Sequence, residues 1–115
     1  MTQVDIDLSN LKMAADGDKE LERELFEEFI ESSTELLSVL KKNAQIDNKN
    51  NHETWQKNAH ALKGISSNLG AYTLADLCKQ AQELLPDSLD TKTALLDKIQ
   101  KEHESVVAYL NVQKN

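Results

Sequence analysis

The stretch that decides the fold is residues 19–45, KELERELFEEFIESSTELLSVLKKNAQ. Its apolar residues recur mostly at steps of three and four, which is typical of an α-helix with one buried face. They are Leu21, Leu25, Phe26, Phe29, Ile30, Leu36, Leu37, Leu40 and Ala44. Most of the acidic residues lie opposite this stripe or flank it. The stretch therefore predicts a long amphipathic helix whose apolar face packs on a core.

Four further helices are predicted around this one by the same kind of pattern. They cover about residues 8–15, 52–69, 71 or 73–85, and 91–111, with polar connections at 47–51 and 87–90. No segment alternates with period two, so no sheet is expected. Four long helices with short connections predict an all-α fold, an antiparallel up-down four-helix bundle with a short additional N-terminal helix. We expect a single domain over residues 1–115, with the bundle core at about 19–111.

The predicted helix ends carry residues that favour such positions. Asp18 can cap the second helix, and Thr73 with Asp76 resembles a capping pair for the fourth. Residues that end helices follow the first, third and fourth of them: Gly17, Gly70 and Pro86.

Composition excludes several classes of protein. The net charge is −7, which argues against nucleic-acid binding, because phosphate backbones require clustered Lys and Arg. No apolar run approaches the roughly 18 residues of a membrane-spanning helix, and residues 1–7 lack the features of a signal peptide. The single cysteine, Cys78, is expected to be a small buried hydrophobe in a reducing compartment. We expect a cytoplasmic protein. The positions of the chain ends favour a free-standing one, although a piece cut from a hybrid kinase would look similar.

A second stretch, residues 59–71, AHALKGISSNLGA, places a histidine on the polar face of the third helix. At about 100° per residue, Lys63 lies at roughly −60°, Gly64 at +40° and Ser67 at −20° from His60. A glycine inside a helix costs about 1 kcal/mol relative to alanine, so its missing side chain needs a reason, either close packing or access to a neighbour. The arrangement predicts an exposed imidazole nitrogen with a cation one turn away.

The pattern H-x-L-K-G-x-S-x-x-L-G-A in this stretch resembles the signature of histidine-containing phosphotransfer (HPt) domains. The resemblance covers residues 8 to about 85, and the last helix agrees only in its pattern. The other residues that carry it are Leu8, Leu11, Gly17, Asp18, Phe26, Phe29, Ile30, Trp55, Leu74, Leu77, Cys78 and Gln82.

This resemblance implies a phosphorelay intermediate. His60 would accept a phosphoryl group from a receiver-domain aspartate of a sensor kinase and pass it to a response regulator; neutral imidazole is nucleophilic enough to form such an intermediate. Lys63 would offset phosphoryl charge, and Gly64 would leave room for the partner's active-site loop. Gln82 matches the family's glutamine on the facing helix and would hydrogen-bond the imidazole or the phosphoryl group. Ser67 is a further candidate for a polar contact.

The same resemblance determines the expected partners and cofactors. The partners would be receiver domains of a hybrid histidine kinase and of a response regulator. Charge and hydropathy argue against nucleic acid and membrane insertion, and a bundle that buries its own apolar stripes is expected to be a monomer. No Gly-rich nucleotide loop occurs in the sequence, so we expect a phosphocarrier and not an enzyme with its own ATP site. We expect no cofactor and no metal on this chain; Mg²⁺ would belong to the partner receiver domain.

Alternatives remain open at this point. The chain could be a helical-bundle adaptor that binds a receiver or kinase domain without carrying phosphate; a hydrolase has no residue constellation to support it. His52 and His103 are expected to have no chemical role, since the zinc-protease pattern that begins at His52 has Gln56 where a second histidine is required. Ser66 falls on the core side and is expected to bond a backbone carbonyl of its own helix.

Overall fold

The structure, a computed structural model, describes residues 6–44, 49–85 and 89–114. These ranges contain five helices, and their only β contact is an isolated antiparallel bridge between Ile6 and Ala71. Helices α2 to α5 form a ring in which each packs on the next and α5 closes against α2, while α1 packs on α2 and α3. The helices are α1 (Ser9–Ala15), α2 (Lys19–Asn43), α3 (Lys49–Leu69), α4 (Tyr72–Gln82) and α5 (Leu89–Lys114).

Three contacts between distant residues define the direction of the helices. The Arg23 guanidinium donates to the Lys114 carbonyl at 3.3 Å, which brings the start of α2 beside the end of α5. Lys92 Nζ lies 2.9 Å from His52 Nδ1, which brings the starts of α3 and α5 together. Helix α2 is therefore antiparallel to α5, and α3 runs parallel to α5. The Trp55 indole near the start of α3 donates to the Ala81 carbonyl near the end of α4, so α4 is antiparallel to α3. Neighbouring helices of the ring are thus antiparallel, and the predicted all-α bundle with a short N-terminal helix is confirmed.

The core consists of the apolar stripes that the helical periodicity predicts. Burial of one large apolar side chain, such as Leu, Ile or Phe, stabilises the fold by about 1.5–3 kcal/mol. Cys78 belongs to the same core, and burial raises the pKa of its thiol to about 12, so it stays neutral as expected. The largest fully buried side chains are Trp55, Phe26, Leu40, Leu62, Leu74, Ile99, Leu110 and Val106.

Two polar pairs cross this core. Ser33 Oγ lies 2.8 Å from His103 Nε2, and both side chains are buried. Lys92 is only 3% exposed, and its ammonium donates to His52 Nδ1 and lies 5.4 Å from the centre of the Trp55 ring. Burial lowers the pKa of both histidines, and Lys92 lowers that of His52 further. Both side chains are buried, so a neutral imidazole is favoured at both positions.

The capping residue predicted for the start of α2 is confirmed, whereas the one predicted for the start of α4 is not. Asp18 Oδ1 accepts from the Leu21 backbone N–H at 3.1 Å, as an N-cap should. The predicted Thr73–Asp76 capping pair is wrong, because α4 already begins at Tyr72 and Thr73 lies inside its first turn. Asp76 instead accepts from Gln80 Nε2 on the same helix.

Other helix boundaries also differ from those predicted from the sequence. Helix α3 begins at Lys49, although the polar character of residues 49–51 predicts a connection there. Helix α4 ends at Gln82 and not at Leu85, and α5 extends from Leu89 to Lys114 in both directions beyond its apolar pattern. The stop predicted at Pro86 and the first two residues of each predicted connection, 47–48 and 87–88, lie outside the described residues.

Gly70 ends α3 in a conformation that requires glycine. Its φ is +102°, and the backbone N–H groups of Gly70 and Ala71 both donate to the Ser66 carbonyl, at 3.1 and 2.9 Å. The Gly70 carbonyl accepts from the Asp7 N–H at 2.9 Å, and a Cβ on Gly70 would lie 1.8 Å from the Asp7 carbonyl oxygen. This close approach fastens the N-terminal segment to the end of α3.

Candidate functional site

Helix α3 turns one face to the core and the opposite face to solvent. Ala59 and Leu62 are fully buried, whereas His60, Gly64 and Ser67 are exposed. The polar face that the helical spacing predicts around His60 is therefore present in the fold. Because the core side is locked by packing, the imidazole is presented outward from a rigid helix.

Gln82, the last residue of α4, lies against His60. Its side-chain Oε1 is 3.3 Å from His60 Nδ1. An amide oxygen only accepts hydrogen bonds, so this contact is a hydrogen bond in the tautomer that carries the proton on Nδ1. In that tautomer the lone pair of the ring is on Nε2.

The remaining candidate residues lie on the same face. Lys63 is half-buried one turn after His60, and in the described ranges its ammonium makes no ion pair. Gly64 is exposed, and a Cβ there would meet no heavy atom within 4 Å, so it does not serve close packing. The Ser67 hydroxyl makes no side-chain hydrogen bond among the described residues, and neither does Ser66. The bond predicted for Ser66 is therefore wrong: its hydroxyl is fully buried without a partner in the described part of the chain.

Two side chains of α3 bind the end of α4 just before the site. Trp55 Nε1 donates to the Ala81 carbonyl at 2.7 Å, and Gln56 Nε2 donates to the Gln82 carbonyl at 3.2 Å. Carbonyls in the last turn of a helix have no partner within that helix, so they are open to such donors. Sequence reasoning missed Gln56 as a site residue. The available signal was its position, one turn before His60 and roughly 40° around the same face.

An apolar groove opens between α1, α2 and α3. Its volume is about 370 Å³. Asn68, at its rim, lies two turns beyond His60 on α3. The residues that line it include Leu11, Leu25, Phe29, Ile65, Asn68 and Leu69.

The described part of the chain contains neither a metal-binding cluster nor a membrane-spanning helix. Residues 6–44, 49–85 and 89–114 hold no group of three or more His, Cys, Asp and Glu side chains suited to bind a metal ion. None of the helices described is long and apolar enough to cross a membrane.

Comparison with known proteins identifies the family. Residues 24–109 match the model of the Hpt domain family. The fold is similar to the crystal structure of histidine-containing phosphotransfer protein B (HptB) from Pseudomonas aeruginosa PAO1, with a TM-score of 0.82 and 23% identity over 98% of this chain and 96% of that one. No curated protein sequence matches the chain. Because the family match spans most of the sequence, the chain belongs to the Hpt domain family, the phosphotransfer domains of two-component signalling.

Proposed function

We propose that this chain is a phosphorelay intermediate. It accepts a phosphoryl group on Nε2 of His60 from a receiver-domain aspartate of a hybrid sensor kinase and passes the group to a response regulator. The observation that carries the proposal is the contact of 3.3 Å between His60 Nδ1 and Gln82 Oε1, which leaves Nε2 as the unprotonated nitrogen of an exposed imidazole.

The transfer follows from these positions. The Nε2 lone pair attacks phosphorus, an N–P bond forms, and the P–O bond to the partner's aspartate breaks, which returns the aspartate as a carboxylate. The imidazole ring gains positive charge as the N–P bond forms, and Gln82 Oε1 stabilises that charge through the Nδ1–H. Lys63, one turn away, offsets the negative charge of the phosphoryl oxygens. The same steps in reverse deliver the group to the next receiver.

The partner has an open approach to His60. Gly64 adds no side chain beside the imidazole, so a receiver's loops can bring an aspartyl phosphate and its bound Mg²⁺ into line. The apolar groove between α1, α2 and α3 borders this face at Asn68 and offers area for docking. The phosphoryl group and the metal come with the receiver, so this chain needs no nucleotide or metal of its own.

The direct test is phosphoryl transfer from a phosphorylated receiver domain, followed by acid-labile label on this chain. His60→Gln should remain folded, with a loss of under about 0.5 kcal/mol at this exposed position, and should take up no label. His52→Gln is the control, because it removes a buried imidazole elsewhere on α3; the folded His52→Gln protein should label as the wild type does. Labelling of His60→Gln would refute the assignment of His60. Binding of the receiver to wild-type protein without any label would instead favour the non-phosphorylated adaptor.

A further inference from the structure

Resting on the proposed function, we propose that Gln56 is a positioning residue for phosphoryl acceptance. Its hydrogen bond to the end of α4 holds Gln82 against His60, and that contact determines which imidazole nitrogen is the nucleophile. Gln56 itself touches neither the reacting nitrogen nor the phosphoryl group.

Trp55 and Gln56 both donate a hydrogen bond to the end of α4, but burial explains only the bond of Trp55. Trp55 is fully buried, so its indole N–H needs a partner wherever the fold can supply one. Gln56 is half-buried on the polar face, and water could satisfy its amide. Its bond of 3.2 Å nevertheless ends on the carbonyl of Gln82, the residue that contacts His60. Burial alone therefore does not account for this bond, whereas positioning of Gln82 does.

The position of Gln82 makes such a tether necessary. It is the last residue of α4, where helices fray, and residues 84–85 that follow are not helical. Its contact with His60 is already 3.3 Å long, beyond the usual range of about 2.7–3.2 Å for N–H···O bonds. A displacement of about half an ångström at the helix end would therefore break the contact, because a separation beyond about 3.6 Å is no longer a hydrogen bond. The Gln56 side chain, one turn before His60 on rigid α3, prevents that displacement.

Losing the tether should change the tautomer of His60. Without Gln82 Oε1 to accept from Nδ1–H, the neutral imidazole distributes between its two tautomers, and the share with a free Nε2 lone pair falls. The loss of one neutral hydrogen bond corresponds to about a two- to tenfold change in this population and in the transfer rate.

The experiment compares Gln56→Met with Asn58→Ala. Gln56→Met keeps the length of the side chain and removes both donors. Asn58 also carries an amide on α3, but it donates to the Thr54 carbonyl of its own helix at 2.8 Å, so Asn58→Ala is the matched control. Nitrogen-15 shifts of the His60 ring in the unphosphorylated protein report the tautomer, and the rate of labelling by a phosphorylated receiver reports transfer. Gln56→Met should lower the Nδ1–H population and the rate by about two- to tenfold, while Asn58→Ala leaves both unchanged.

A double-mutant cycle separates positioning from a general loss of stability. In a Gln82→Ala background, Gln56→Met should cause no further loss of rate, because its only route to His60 has been removed. Additive losses, a wild-type rate in Gln56→Met, or an unchanged tautomer in that variant would each overturn the proposal. Gln56→Ala provides the same test should Gln56→Met fail to fold. The tautomer measurement needs no phosphoryl donor, so it stands or fails independently of the proposed function.

Discussion

Substitution of Gly64 should separate fold stability from partner access. Its Cβ position is open, with no heavy atom within 4 Å, and the residue lies inside α3. Gly64→Ala should therefore raise the free energy of unfolding by up to about 1 kcal/mol, through helix propensity and a less flexible unfolded chain. In a domain of this size the gain corresponds to roughly 4 °C in melting temperature. Transfer from a receiver should remain nearly as fast as in the wild type.

Gly64→Gln should keep most of the gain in stability but project a long side chain beside His60. A partner held about 1 Å away from its productive position can lose about a hundredfold in rate, so we expect transfer from a phosphorylated receiver to slow by about that factor. Reaction with a small donor such as phosphoramidate, which needs no docking, should be unaffected if the wild type reacts with it. Thermal unfolding and the two rates are the measurements. Receiver transfer at the wild-type rate in Gly64→Gln would refute the access argument, and so would an unfolded Gly64→Gln protein.

Three further substitutions test other parts of the structure. Lys63→Ala should slow transfer or shorten the phosphohistidine lifetime without removing either, by at most about ten- to a hundredfold for the loss of one charge-assisted contact, in a label-retention assay. Burial lowers the pKa of the His103 imidazole in the folded protein. The contribution of His103 to stability is therefore present above the unfolded pKa of about 6.5 and is lost as the pH falls through that value toward the lower folded pKa. The free energy of unfolding, measured with urea between about pH 7.5 and 5.5, should depend less on pH in His103→Gln than in the wild type. Gly70→Ala should destabilise by more than about 2 kcal/mol, because φ is +102° and the new Cβ would meet the Asp7 carbonyl oxygen. Deletion of residues 1–7 should recover part of that loss in thermal unfolding, and full recovery would show that the φ value costs nothing.

Local patterns in the sequence predicted the number and order of the helices because each helix buries an apolar stripe. They failed where a helix end depends on another helix. The apolar Leu84 and Leu85 extend the pattern of α4, yet α4 ends at Gln82, where side chains of α3 bind its last carbonyls. These contacts join residues 26 positions apart, and no local pattern contains them. Likewise, α3 starts among polar residues that have no helical stripe.

In the candidate site, too, features within one helix could be predicted from the sequence and contacts between helices could not. The exposed face around His60 could be predicted, because the angles between residues of one helix follow from their spacing. The partner across the helices, Gln82, was accessible only through resemblance to a family. Gln56 was visible on the same face, but nothing local indicated that its amide would reach the Gln82 carbonyl. Similarly, periodicity places His103 on the inner side of α5 without showing that Ser33 on α2 would meet its ring at 2.8 Å.

The setting of Trp55 gives the protein a built-in optical probe. It is the only tryptophan in the chain, it is fully buried, and its indole N–H is bound to the end of α4 beside the phosphorylation site that we propose. Its emission should therefore report the seating of α4 on α3 without any introduced dye. Stopped-flow fluorescence of Trp55 could show in real time whether the domain changes conformation when a receiver docks or keeps its conformation throughout phosphoryl transfer.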